Sequence, residues 1–330
     1  MHYFVTGATG FVGGYVTSQL LAQGHDVTAL VRTREQGLDL ASFGVRPALG
    51  DVTDKSSMRR GMRGVDGVFH LAGWHRFGAR HRHAAEAINV LGTRNVLELM
   101  WELKIPKGVY TSTVSVFGDT RGSIVDESYR FEGRLPTVYA RTKWRAHYEV
   151  AEPFVRRGLP LVVLMPGAVY GPDDTGPLAR SITRFLLGRM PVAPTQTAFT
   201  WTHVLDVAWA HVLAMGAGRP GRTYVVAGEH ATLREVLRRV ALVVGRRREP
   251  FPVPGWALRV PAAVLAPVGL VSPPVRATID RLRAFAGVTH LADAGRARSE
   301  LGWRAMGLDE GLPDAVRGLL QQQFDEAGVA

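Results

Sequence analysis

Cysteine is missing from all 330 residues, and lysine nearly so: of forty basic residues only Lys55, Lys104, Lys107 and Lys143 are lysines. Without cysteine there is no disulfide, no thiolate-held zinc and no cysteine nucleophile. A long apolar run is also lacking. The longest, "WALRVPAAVLAPVGLV" (256–271), is interrupted by Arg259 and two prolines and falls short of the roughly 20 residues that span a bilayer. It reads as core or lobe packing, with an interfacial helix as the alternative. No basic leader precedes "HYFVTG", which argues against a secretory signal and for a cytoplasmic location. Nor is there a block of one charge sign. The formal net charge of +11 is arginine spread along the chain, and its one sharp run, "VGRRREP" (244–250), has no interleaved aromatics. Nucleic acid is therefore not an expected partner, whereas a phosphorylated small molecule would be attracted.

What is present is alternation. "HYFVT" (2–6), "DVTALV" (26–31), "VRPAL" (45–49), "GVFHL" (67–71), "GVYTS" (108–112) and "PLVVLM" (160–165) read as buried strands. Helical patterns at 11–24, 89–103 and 139–158 separate some of them. "TYVVAG" (223–228) adds a strand and "VLDVAWAHVLAM" (204–215) a helix. Strands joined by crossover helices imply an α/β fold: a doubly wound parallel sheet with helices on both faces. From Gly167 on, proline and glycine rise. Two domains are expected: 1–166 plus 201–228, and a smaller, mostly helical substrate lobe of 167–200 plus 229–330.

"FVTGATGFVGG" spaces Gly7, Gly10 and Gly13 as G-x-x-G-x-x-G, closing the first strand and opening a helix. Missing side chains let the turn tighten and bring backbone N–H groups and the helix N-terminus to a pyrophosphate, as in a Rossmann-type dinucleotide site. After the second strand, where an acidic residue would hold a ribose 2′-hydroxyl, stands Arg32. Its charge and fork suit a 2′-phosphate, favouring NADP(H) with NAD(H) as the alternative, unless it is simply solvated. Asp51, in "GDVTD", either takes the adenine amino group or joins Asp54 in capping the next helix.

Tyr139 and Lys143, in "VYARTKW", lie at i and i+4 on one helical face. A phenol of pKa near 10 is a poor acid or base at neutral pH, and an adjacent ammonium favours its ionised form. A compact ammonium also suits a ribose better than a guanidinium does. A third group should hold the substrate oxygen: "YTSTVSVFG" ends the fifth strand with Ser112, Thr113 and Ser115, any of which is a candidate.

Together "TGATGFVG" (6–13), "DVTD" (51–54), "HLAG" (70–73), "NVLGTRN" (89–95), "YTSTVSVFG" (110–118), "DES" (126–128), "YARTK" (139–143), "PGAVYGP" (166–172) and "HVLDVAWAH" (203–211) resemble the extended short-chain dehydrogenases/reductases. That group includes the nucleotide-sugar epimerase/dehydratase and dihydroflavonol-reductase-like branches. The resemblance implies Thr113 as the catalytic hydroxyl, Tyr139 as acid/base, Lys143 as its partner, and Asn89 as support of the proton-relay region. It implies cofactor contacts at Gly7, Thr9, Gly10, Phe11, Val12, Gly13, Arg32, Asp51 and Val52. Further contacts follow at Leu71, Ala72, Gly73, Thr111, Tyr139, Lys143, Pro166, Gly167 and Val169. It also implies a homodimer through 89–103 and 139–158.

Three groups common in the nucleotide-sugar branch are missing. Ala168 replaces an asparagine, Phe199 and Thr200 replace an Arg-Asp pair, and Arg32 replaces an acid. The expectation is therefore reduction of a ketone or aldehyde on a small, largely apolar molecule, with Trp74, His75, Ser115, Phe117, Tyr170, Phe199 and Trp201 as substrate contacts. A nucleotide-sugar epimerase or dehydratase with tightly bound NAD, and a cofactor-sensing protein, are the competing readings. "WHRFGARHRH" (74–83) gathers His75, His81 and His83 without a visible second shell, so no metal is expected.

Overall fold

The computed structural model describes residues 1–75, 82–247, 249–264 and 286–326. Seven parallel strands form the main sheet: β1 (His2–Thr6), β2 (Asp26–Val31), β3 (Arg46–Leu49), β4 (Gly67–His70), β5 (Gly108–Thr111), β6 (Leu161–Pro166) and β10 (Thr223–Val226). Their order is β10-β6-β5-β4-β1-β2-β3. Chain order reverses between β1 and β4, the position where a doubly wound sheet opens a ligand crevice.

Composition explains the placement of the strands. Every residue of β6, "LVVLMP", is buried, as a strand covered on both faces requires. β3, "RPAL", is mostly exposed, and its proline and arginine suit an edge, where no ladder partner is needed. Alternation sends Phe4 and Val68 into one core and Tyr3, Val5 and Phe69 into the other. Helices Phe11–Ala22 and Val204–Gly216 pack together on one face of the sheet.

Two helices depart from a plain α pattern. The stretch expected at 89–103 is a π turn at Glu86–Gly92 followed by α-helix Thr93–Glu102. The stretch expected at 139–158 is α-helix Val138–Arg145, a π turn at Ala146–Ala151 and α-helix Glu152–Arg156. Residue propensities do not distinguish an i→i+5 from an i→i+4 turn, and π turns cluster at functional sites.

The smaller lobe holds helices Pro177–Leu186, Leu233–Val243, Gly255–Val264 and Leu308–Glu326. It also has strands not anticipated from the sequence. β9 (Ala198–His203) pairs with β7 (Ala168–Tyr170), β11 (Glu229–Thr232) and β13 (Thr289–His290), and β8 (Val192–Pro194) pairs with β12 (Phe251–Val253). β9 runs straight through the expected boundary at 200/201. Residues beyond 229 do not all stay in the lobe either. Ala292, Ala294, Ala297, Leu301 and Trp303 join the main-domain core with Tyr224 and Val225, and the Trp303 indole donates to Asp206 O at 2.8 Å. The return is decided by packing, which a rise in proline and glycine does not reveal.

No helix among the described residues is long and apolar enough to cross a membrane. The final part of the apolar run, 265–271, lies outside the described residues, as does His81. Among the described residues no three His, Asp or Glu side chains cluster as metal ligands.

Candidate active site

The glycine turn is held by contact. Gly7 has φ +83°, and a Cβ there would meet Ala72 N at 2.7 Å; one on Gly13 would lie 1.9 Å from Gly7 O. Only hydrogen fits either position. Gly10 N donates to Gly7 O at 2.9 Å, and Gly10 caps helix Phe11–Ala22 without a side chain. The first N–H groups of that helix therefore face no capping oxygen, which fits a pyrophosphate. Ala72, two residues past β4, reaches the turn through Ala72 N donating to Thr6 Oγ1 at 3.3 Å.

Around this turn, Arg32 is exposed and no carboxylate pairs with it among the described residues; Thr33 caps the following helix through Gln36 N. Asp51 Oδ1 accepts from Thr53 N at 2.8 Å, so its carboxylate shapes its own turn, and Asp54 alone caps helix Lys55–Met62. Val52 O accepts from Asn95 Nδ2 at 2.9 Å, a contact the sequence reading missed.

Lys143 is 5% exposed. Its Nζ donates to Thr111 O at 2.6 Å and to Tyr110 Oη at 3.2 Å, and lies 4.7 Å from the centre of the Tyr110 ring. Burial pulls its pKa down to about 7. Tyr139 sits one turn earlier on the helix that Thr137 caps. Its pKa is raised, chiefly by burial, while the neighbouring Thr113 hydroxyl pulls the other way. Lys143 is turned to Tyr110 and Thr111, and desolvation is the larger influence on Tyr139. The consequence is a phenol held protonated.

Thr113 opens the short turn Val114–Phe117, accepting from Ser115 N at 3.1 Å and donating to Ser115 Oγ at 3.2 Å. Ser112 faces away from it, to His147 Nδ1 at 2.8 Å. Asn89 is buried on the first π turn. Its Oδ1 accepts from Trp74 N at 2.7 Å, and its Nδ2 donates to Trp74 O at 3.0 Å and to Thr142 Oγ1 at 2.8 Å. One side chain thus ties the segment after β4 to the helix carrying Tyr139 and Lys143.

Tyr110, His70, Thr142, His147 and His211 are buried polar residues to which no local sequence pattern assigns a role. His70 stacks on Tyr110 with ring centres 5.5 Å apart, and bridges Thr6 Oγ1 at 2.7 Å and Thr93 Oγ1 at 3.0 Å. Thr111 Oγ1 bonds His211 Nε2 at 2.7 Å. Burial, aided at His70 and His147 by Lys143, drives the pKa of both to about 3, and burial drives His211 to about 4. All three are neutral spacers.

Of the expected substrate contacts, Trp74, His75 and Ser115 keep exposed surface. Phe117, Tyr170, Phe199 and Trp201 do not: they are 1%, 2%, 4% and 1% exposed and pack in the cores. Aromatic size drives them inward where the sheet offers a closed interface. Pro166 ends β6, Gly167 comes so near β9 that a Cβ would lie 2.2 Å from Thr200 O, and Val169 lies on β7.

This crevice and glycine turn define an extended short-chain dehydrogenase/reductase. Residues 3–227 match the NAD dependent epimerase/dehydratase family, and the chain belongs to it. It is 33% identical over 326 residues to a dihydroflavonol 4-reductase-like protein of Synechocystis sp., covering 95% of this chain and 93% of that one. It is 31% identical over 322 residues to a 4-hydroxy-2-methyl-3-oxo-4-farnesyl-3,4-dihydroquinoline-1-oxide ketoreductase of Stigmatella aurantiaca, covering 96% of each. Among solved structures, gox2253 superposes with TM-score 0.83 at 28% identity over 99% of this chain and 98% of that one. A Thermus thermophilus UDP-glucose 4-epimerase in complex with NAD superposes with TM-score 0.75 at 25% identity, covering 97% and 99%. The protein is thus an NAD(P)-dependent enzyme of the oxidoreductase and epimerase type.

Proposed function

We propose that the chain is an NADP(H)-dependent reductase of a ketone or aldehyde on a small, largely apolar substrate. The observation that carries the reading is the gathering of Thr113, Tyr139 and Lys143 around the C-terminal end of β5, two strands from the glycine turn. Gly7, Thr9, Gly10, Phe11, Val12 and Gly13 hold the pyrophosphate end of the cofactor, and Asp51, Val52, Leu71, Ala72 and Gly73 its adenosine side. Thr111, Pro166, Gly167 and Val169 flank the nicotinamide, which when bound supplies a hydride to the carbonyl carbon. Thr113 holds the carbonyl oxygen. Tyr139, kept protonated by burial, gives that oxygen a proton, the form a reductase needs from its acid. Lys143 anchors the ribose, and Asn89 keeps the Tyr139 helix in place through Thr142. Arg32 binds the 2′-phosphate, which supports NADP(H) over NAD(H). Trp74, His75 and Ser115 meet the substrate.

The names of the reductase relatives support this direction of chemistry. The family's own description and the NAD-bound epimerase favour the second reading, a nucleotide-sugar epimerase or dehydratase with retained NAD. Against it, Phe199 is core and the Thr200 hydroxyl accepts from Ala292 N at 2.9 Å, so neither position offers a diphosphate clamp. We also propose a cytoplasmic location, the two-domain division given above with 292–303 returned to the main domain, and a homodimer through 89–103 and 139–158, where Leu91 and Trp101 are exposed.

Fluorescence titration with NADPH and NADH, followed by a panel of carbonyls and UDP-sugars, tests these readings. A tenfold preference for NADH, about 1.4 kcal/mol, overturns the role of Arg32. Copurified, non-exchanging NAD with UDP-sugar turnover selects the epimerase. Binding of NADPH with no turnover brings forward a cofactor sensor.

A further inference from the structure

The lobe carries an apolar surface that the proposed reaction does not use. Leu187, Val192, Leu242, Phe251, Trp256 and Val260 are exposed there, Phe251 by 70% and Trp256 by 68%. They come from separate segments joined by backbone contacts. Arg246 donates from its guanidinium to Leu186 O at 2.7 Å and from its backbone to Ala241 O at 2.8 Å. Those bonds bring the end of helix Pro177–Leu186 beside the end of helix Leu233–Val243. Phe251 N donates to Pro191 O at 2.8 Å, and in the parallel pair of β8 and β12 Phe251 stands opposite Val192. Parallel register puts those two side chains on one face. Helix Gly255–Val264 begins directly after β12, and Trp256 and Val260 share one side of it, four residues apart.

A soluble protein rarely leaves a tryptophan, a phenylalanine and several aliphatics exposed in one region without a partner. The charge around them indicates which partner. Arg189, Arg246 and Arg247 are exposed among these segments, and no carboxylate pairs with them among the described residues. The nearby acid, Glu249, is already taken by Arg234 at 2.6 Å. Positive charge beside apolar side chains complements phosphate above acyl chains. A second copy of this face would instead set like charges against one another in a chain already at +11.

We infer that this face docks on an anionic lipid surface, with Phe251 and Trp256 entering the headgroup boundary and Arg189 and Arg247 meeting lipid phosphates. The inference stands independently of the proposed reaction.

Sedimentation of the full chain with vesicles tests it, comparing phosphatidylcholine alone with phosphatidylcholine mixed with phosphatidylglycerol. Binding roughly tenfold stronger to the anionic vesicles, released by high salt, is expected. The pair Phe251→Ser and Trp256→Ser, and separately the pair Arg189→Gln and Arg247→Gln, should each weaken binding roughly tenfold while melting with a native cooperative transition. The arginine pair keeps the test decisive if the apolar pair does not fold. Equal pelleting with and without anionic lipid, unchanged binding by the folded variants, or a dimer in solution that the Phe251→Ser, Trp256→Ser chain no longer forms would each overturn the inference.

Discussion

Lys143 Nζ stands 3.2 Å from the Tyr110 hydroxyl and 4.7 Å from the centre of the Tyr110 ring. One buried tyrosine thus gives the ammonium both an acceptor and a π face, in a place where burial alone discourages charge. Tyr110→Phe keeps the ring and removes the acceptor. Loss of about 1 kcal/mol of stability is expected. Because the lost bond favoured charged Lys143, the high-pH limb of turnover should move to lower pH. A limb that stays in place would show that Tyr110 is packing only.

Tyr139→Phe should lower kcat by about 10²–10⁴-fold while the NADPH dissociation constant stays within about threefold, since the phenol is assigned to proton transfer rather than cofactor grip. Stopped-flow reduction and fluorescence titration on the same preparation measure both. Retention of full kcat would remove Tyr139 from the chemistry.

Two neighbouring glycines separate crowding from helix propensity. At Gly13 an added Cβ would lie 1.9 Å from Gly7 O, whereas at Gly14 its nearest neighbour would be Ala8 O at 3.6 Å. Gly13→Ala should cost several kcal/mol and abolish cofactor binding, because backbone must move. Gly14→Ala should be neutral or stabilise by about 0.5–1 kcal/mol. Thermal melts of the pair decide it; equal effects would mean that the turn is not tightly packed.

Acid should unfold the protein early. His70 and His147 are held to about 3 and His211 to about 4, below the unfolded value of about 6.5. Their neutral burial contributes stability that is present above about pH 6.5 and is lost as pH falls toward 4 and 3. Asp174, raised to about 6 mainly by burial, works in the opposite sense, being better accommodated as pH falls. Burial also lowers His203 and His290 and raises Glu127 and Asp206, so five histidines stand against three carboxyls and set the net sign. The urea midpoint is expected to drop between about pH 6.5 and 4.5, and a flat midpoint across that window would contradict the burial of neutral imidazoles.

The positions of the main-sheet strands along the chain, the glycine turn and the shared helical face of Tyr139 and Lys143 were readable because each rests on local periodicity, whereas the strand order β10-β6-β5-β4-β1-β2-β3 comes from long-range pairing. An i, i+4 pair needs only a helix, and a buried parallel strand needs only a run such as "LVVLM". The strands at 168–170, 198–203, 229–232 and 289–290 were not readable. They are short, and what makes them strands is pairing on β9 across up to about a hundred residues of chain. The same holds for the aromatics Phe117, Tyr170, Phe199 and Trp201, whose burial depends on what covers them.

Residue types alone therefore determined a dinucleotide crevice and a phenol–amine helix, since backbone sterics and helical spacing act within a few residues. Only the folded chain decided where the amine points. Tyr110 and Thr111 on β5 hold Lys143, Asn89 pins its helix from a π turn, and desolvation in that enclosure sets the protonation of Lys143 and Tyr139. Burial and hydrogen-bond geometry belong to segments distant in sequence, so no local pattern encodes them.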